Sequence, residues 1–336
     1  MTRSTRDAFG ESLVALADDG LDFVVVDGGV SGAARTAPFE AAYPDRFLNC
    51  GISEQNMVSV AAGLAWSGVP VVAASFAAFL INRAFDQIRL QVAQPGLRVT
   101  LVGSHAGITA GPDGISAHAI EDLALVSALP GFSVGVPVDA AETESMLRTM
   151  VTGDGPSYLR VSKHKTPVVV SERPCTAPGS LRVLRPGSDV TIVSHGVMVP
   201  VVLAAAERLE SDGVSIEVVN APWLSPFDEA ALSASARRTG CVLVVTEHLG
   251  AGGLVGAVTA ALARRAPVPA DWVAVPGYAG SAPAGDLLRS TGLTVDDVVG
   301  AARSLLTRAS GTPAAPAGHE LELSALGGGT APEGTS

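Results

Sequence analysis

The run Gly51-Ile52-Ser53-Glu54-Gln55-Asn56-Met57 follows a strand-like Phe47-Leu48-Asn49-Cys50 and opens a long apolar stretch. Met57, Val60, Ala61, Leu64 and Ala65 recur at the i, i+3, i+4, i+7, i+8 spacing of one buried helix face. This spacing predicts a helix over Glu54–Trp66, with Ser53 as N-cap and Gly68 and Pro70 as stop signals. Glu54 then stands in the first turn, where the helix dipole and free amides favour a carboxylate by about 0.3–1 kcal/mol. A carboxylate there is either a helix-start residue or an acid aimed at a ligand, and its company has to decide which.

No charged residue occurs from Gln55 to Ile81, which exceeds the roughly 20 apolar residues that span a bilayer. Ser67-Gly68-Val69-Pro70 breaks this stretch into a helical half and a Val-rich strand, so it reads as the buried centre of an α/β domain. Strands are expected at Phe23–Val26, Val69–Ser75, Arg98–Val102, Ser133–Val136 and Tyr158–Val161. They alternate with helices at Arg6–Ala17, Glu54–Trp66, Ala77–Val92, Ile120–Ala128 and Ala140–Met150. Continuous apolar strands separated by helices indicate a mainly parallel sheet covered on both faces. A second α/β pattern has strands at Val190–Ser194, Ser215–Val219, Val242–Thr246 and Trp272–Val275. The fold class is therefore α/β with two doubly wound domains, 1–165 and 187–308, joined by a Pro/Thr/Ser-rich linker at 166–186. The tail 309–336 has little to bury and reads as disordered.

With 336 residues, 47 % of them hydrophobic, the chain has ample core material. Its formal net charge of −11 argues against nucleic acid or an anionic membrane as a general partner. The three cysteines, Cys50, Cys175 and Cys241, form neither a disulfide framework nor a metal motif, which fits a reducing cytoplasm. Met1–Asp7 lacks the apolar core of a signal peptide.

Several stretches join Glu54 as carriers of chemistry. Ser75-Phe76-Ala77-Ala78-Phe79 ends a strand, where parallel sheets place ligands, and its two Phe rings either fill the core or stack on a flat ring. Ser104-His105-Ala106-Gly107 begins another strand-end loop, which runs on through Asp113 to His118. A long Gly-rich loop with two His and an Asp is suggestive, because His transfers protons near neutral pH. Arg160, Lys163, His164 and Lys165 form a local basic patch that is either an anion site or a solvated strand end. Asp27-Gly28-Gly29-Val30-Ser31-Gly32 lacks the G-x-G-x-x-G of a dinucleotide loop.

In this order the segments resemble the C-terminal half of transketolase over roughly Asp22 to Arg308. The signatures are Tyr43-Pro44-Asp45-Arg46-Phe47 leading into Gly51–Met57, Ser75–Phe79, and Glu247-His248 before a Gly-rich turn. Ser104–Gly114 looks most like the split, two-subunit transketolases. The resemblance implies a pyrimidine-binding domain followed by a transketolase C-terminal domain, with thiamine diphosphate bound between subunits. Glu54 would hydrogen-bond the aminopyrimidine and favour its imino tautomer; Phe79 would stack on that ring, with Phe76 and Ile52 lining the site. His105 and His118 would serve the catalytic region. Asp113 would bond a donor hydroxyl, and Arg160 and Ser31 would hold a sugar phosphate.

Two departures qualify the likeness. The family usually reads Asp-Gly-Pro-Thr-His-Gln in the loop, whereas here Asp113-Gly114-Ile115-Ser116-Ala117-His118 puts Ala117 at the His position and His118 one residue late. The diphosphate-binding half is missing: Gly153-Asp154-Gly155 precedes a short strand, and no Asn follows before Asn220. The resemblance therefore implies an N-terminal partner subunit that carries the diphosphate site and its Mg²⁺ or Ca²⁺, in a two-plus-two heterotetramer transferring a ketol unit. A 2-oxoacid dehydrogenase beta subunit, a deoxyxylulose phosphate synthase-like enzyme and a non-catalytic regulatory subunit are the alternatives.

Overall fold

The computed structural model describes residues 2–170 and 177–311. Cys175, part of the interval read as a linker, and nearly all of the tail read as disordered lie outside the described residues.

The first half contributes β1 (Thr2–Ser4), β2 (Val24–Asp27), β3 (Phe47–Asn49), β4 (Val71–Phe76), β5 (Val99–Ser104), β6 (Ser133–Gly135), β7 (Ser157–Arg160) and β8 (Lys165–Pro167). The second half adds β9 (Arg182–Arg185), β10 (Val190–Ser194), β11 (Ile216–Asn220), β12 (Trp223–Ser225), β13 (Val242–Leu249) and β14 (Ala270–Val275). Seven strands form a sheet in the order β12-β6-β7-β5-β4-β2-β3, parallel except for β12. Five more follow the order β14-β13-β10-β11-β9, parallel except for β9.

The large sheet is covered on both faces, which is why β4 and β5 are almost wholly buried rather than alternating. On one face lies the helix Glu54–Trp66, which buries Met57, Val58, Ala61 and Ala65. On the other, Phe9, Leu13 and Leu16 of the helix Thr5–Asp18 pack with Met146 and Leu147 of the helix Ala140–Thr152. The carboxyl ends of β4, β5 and β7 open at one edge, delivering Phe76, Ser104 and Arg160 there.

Four local features depart from the expectations. Ser53 does not cap its helix with its side chain; its Oγ donates to the Cys50 carbonyl at 2.9 Å. The expected helix Ala77–Val92 is two π-helical turns, Phe79–Arg83 and Ile88–Ala93, flanking the α-helical Ala84–Gln87. β12 belongs in sequence to the second half yet pairs antiparallel with β6, burying Trp223 in the first core. Finally, ordered strands β8 and β9 stand at the two ends of the 166–186 interval. Among the described residues no helix is long and apolar enough to cross a membrane.

Candidate active site

Glu54 sits in the first turn of its helix and is only 1 % exposed. The turn after β2 holds this helix mouth from behind. Gly29, at φ +77°, approaches so closely that a Cβ there would lie 2.9 Å from the Gly51 carbonyl carbon, so only glycine fits. The turn itself is closed by Asp27, which accepts from the Val30 amide and the Thr36 hydroxyl, both at 2.7 Å.

The Glu54 carboxylate has two partners. Arg83 Nη1 donates to Oε2 at 2.6 Å, and Ser75 Oγ donates to Oε1 at 3.3 Å. The Arg83 guanidinium also lies over the Phe79 ring, 5.1 Å from its centre. Phe79 stacks on Phe76 at 5.7 Å, and Phe76 stacks on His105 at 3.9 Å. A continuous series of contacts thus runs Glu54–Arg83–Phe79–Phe76–His105.

His105 is held in a single tautomer. An arginine can only donate, so Arg6 Nη1, 3.1 Å away, makes His105 Nε2 the acceptor. Nδ1 then carries the proton and donates to Ser104 Oγ at 3.0 Å, which in turn donates to the Ser75 carbonyl at 3.3 Å. Burial, then the nearby Arg6 charge, lowers the His105 pKa to about 4, so the ring is neutral at physiological pH. Its backbone is left-handed, at φ +55°. Lys163 and Asp113 form an ion pair of 2.6 Å close enough to act on its titration.

His118 lines a cleft of about 500 Å³ with Ala78, Phe79, Asn82, Arg83 and Tyr278. Its Nε2 meets the Gly111 carbonyl at 3.0 Å and must donate to it. In the neutral ring Nδ1 is then the acceptor, and it is buried without a partner. Ala117 is buried but does not line the cleft. The late His, not the residue at the usual position, stands at this wall.

Arg160 has a different place from the one expected. Its guanidinium is fully engaged inside the protein: Nε with Asp122 at 2.9 Å, Nη1 with Glu247 at 3.4 Å and Nη2 with the Ala119 carbonyl at 2.9 Å. It is 3 % exposed, so no fork is free for a phosphate. Burial opposes its charge, but the two carboxylates beside it raise its pKa overall. Glu247 comes from β13 and also accepts from the Thr109 amide and hydroxyl, at 3.2 and 2.7 Å. This network ties the His105 loop to the second domain. His248 lies 4.0 Å from Asp122 but is no ion-pair partner: its Nε2 accepts from the Ala124 amide and burial keeps the ring neutral.

The structure therefore gathers Glu54, Phe76, Phe79, His105 and His118 into one region, with Asp113 beside it. Ile52 projects outward, 76 % exposed, and the Ser31 hydroxyl forms no hydrogen bond among the described residues. Arg83 and Arg6 escaped the sequence reading. For Arg83 the only available signal was a lone cation four residues after Phe79; Arg6 lies far off in sequence near the N-terminus.

Comparison with known proteins identifies the class. The transketolase pyrimidine-binding domain matches residues 1–168 and the transketolase C-terminal domain matches residues 179–298. The chain belongs to the transketolase family. Within it, the chain is similar to the subunits of split transketolases. It is 38 % identical to a putative transketolase C-terminal section of Methanocaldococcus jannaschii, covering 78 % of this chain and 82 % of that protein. It is 36 % identical to the 6-deoxy-6-sulfo-D-fructose transketolase subunit SqwH of a Clostridium species, over 90 % of this chain and 94 % of that one. A solved split-gene transketolase described as an inactive beta4 tetramer superposes with a TM-score of 0.84 at 40 % identity, covering 91 % of this chain and 99 % of that chain. Against the transketolase of Mus musculus, 33 % identical, the chain spans 49 % of the length.

The family implies thiamine diphosphate, and the residues here fit its aminopyrimidine. Phe79 offers a ring face, Glu54 a buried carboxylate for a ring nitrogen, and His118 Nδ1 an unpartnered acceptor for an amino group.

Proposed function

We propose that this chain is the pyrimidine-binding subunit of a two-subunit transketolase, with functional domains at 1–165 and 187–308. The observation that carries this reading is the buried Glu54 carboxylate, bonded to Arg83, which lines a cleft together with Phe79 and His118. When bound, thiamine diphosphate supplies a nucleophilic carbon and an electron sink for a two-carbon ketol fragment. Glu54 holds a proton at the ring nitrogen, Phe79 and Phe76 fix the ring plane, and His118 accepts from the amino group. Ile52 stands at the mouth, where the partner closes the site. The partner, an N-terminal subunit, carries the diphosphate and its Mg²⁺ or Ca²⁺, and two copies of each subunit form a cytoplasmic heterotetramer.

Neutral His105, with its ring nitrogens held by Arg6 and Ser104, backs the Phe76 ring at the substrate end of the site, and Asp113 accepts from a donor hydroxyl. With Arg160 committed internally, Arg6 and Lys163 are the cations placed to attract an anionic head group. A terminal phosphate or a sulfonate, such as the SqwH name implies for that relative, suits such cations. Ser31 is a weaker contributor to the same head group. A role in a specialised biosynthetic pathway is part of this proposal, motivated by the altered Ile115–His118 loop.

The test is reconstitution with a diphosphate-binding subunit, thiamine diphosphate and Mg²⁺, following ketol transfer from a ketose phosphate to an aldehyde. Glu54→Gln is expected to lower kcat by about 100-fold or more while the complex still assembles. Near-normal turnover by that variant overturns the reading. Release of CO₂ from pyruvate points instead to a 2-oxoacid enzyme, and cofactor binding without turnover of any ketose points to a regulatory subunit.

A further inference from the structure

The Arg83 guanidinium already makes the two contacts that a flat aminopyrimidine would make here. It donates to Glu54 Oε2 at 2.6 Å and covers the Phe79 ring at 5.1 Å. A guanidinium is planar, cationic and donates from its edge, so a carboxylate and an aromatic face bind it much as they bind a protonated amidine-like ring. Both contacts cannot be held by Arg83 and by a ring at once.

The two partners differ in their freedom. The Glu54 side chain is 1 % exposed, whereas that of Arg83 is 48 % exposed. The carboxylate is fixed by its helix mouth, and the guanidinium is the partner with somewhere to go. Arg83 ends the π-helical turn Phe79–Arg83, a geometry found often at functional sites, and the cleft of about 500 Å³ lies directly beside it.

We propose that Arg83 is a resident stand-in for the aminopyrimidine: it occupies Glu54 and Phe79 in the subunit alone and must swing into the cleft before a ring can bind. This inference rests on the reading of Glu54 and Phe79 as the ring-binding pair. The arrangement keeps a buried carboxylate paired until the ring arrives. It also makes ring binding by the lone subunit weak.

The experiment is a calorimetric titration of the full chain, without partner, with 4-amino-2-methylpyrimidine. Arg83→Ala is expected to bind this probe about two- to five-fold more tightly than wild type, the scale of a lost competing ion pair. Arg83→Lys, which keeps the charge but not the plane, falls between the two and serves if the Ala variant is poorly folded. Glu54→Gln removes binding in every background. Equal or weaker binding by both Arg83 variants, with Glu54 still required, overturns the stand-in and makes Arg83 a permanent orienter of Glu54. Binding that is indifferent to Glu54 overturns the ring-binding pair itself and this inference with it.

Discussion

At the scale of single residues, neighbours from distant segments decide what each candidate group can do. Arg6 sets the tautomer of His105 and helps hold its pKa at about 4, second to burial. Arg6→Leu removes that charge and the donor to Nε2, so the His105 titration moves upward from about 4. An NMR titration of the His105 ring protons follows this, and an unmoved midpoint would assign the depression to burial alone. Arg160 shows the converse. Its position on a strand end suggested a phosphate fork, but burial leaves its charge tolerable only between Asp122 and Glu247. Arg160→Met strands two buried carboxylates, and breaking such a pair costs about 3–5 kcal/mol. Urea unfolding should show that loss, in contrast to the pure rise in KM expected of a surface phosphate contact.

Among the elements, the loop after β5 is the one whose shape is set from outside itself. Thr109 is bonded to Glu247, and Ser281 donates to the Pro112 carbonyl at 2.7 Å. Gly107, at φ +75°, lies where a Cβ would be 2.2 Å from the Glu247 carboxyl group. Gly107→Ala therefore combines a left-handed backbone with a collision against a fixed side chain. A loss of about 2 kcal/mol or more is expected in chemical unfolding, together with a drop in cofactor affinity of the reconstituted complex. Unchanged stability would mean that Glu247 yields easily and does not strap the loop.

In the whole molecule, the two domains are joined by buried polar contacts that respond to pH. Asn220, at the end of β11, donates to both oxygens of Glu142 at 3.0 and 3.2 Å, and the Val138 amide donates to Oε2 at 2.8 Å. Burial raises the Glu142 pKa from the usual carboxylate value to about 7 despite these donors. Because the folded pKa is the higher one, the native state binds the extra proton. Its contribution to stability is complete below pH 4.5 and is lost as pH rises through about 7. Glu142→Gln keeps the acceptor and removes the titration. The variant should lose less thermal stability than wild type between pH 5 and 8, measured as Tm against pH. Parallel profiles would show that Glu142 stays ionised throughout.

The helix Glu54–Trp66 was legible to the residue, because its apolar spacing and its Gly and Pro stops are local. Most parallel strands were equally plain, since a strand covered on both faces must be a continuous apolar run. Local sequence also marked Glu54, Phe76, Phe79, His105 and His118 as candidates. What it could not carry were interactions between segments far apart in the chain. The pairing of β12 with β6, the π-helical turns and the tie from Thr109 to Glu247 all depend on tertiary packing. The residues that govern the candidates were hidden for the same reason. A charge's partner is whichever group the fold brings within about 4 Å. Sequence alone determined which chemical groups stand at the strand ends; only the tertiary structure decided that Arg160 is spent on holding the domains together and that Arg83 covers Glu54.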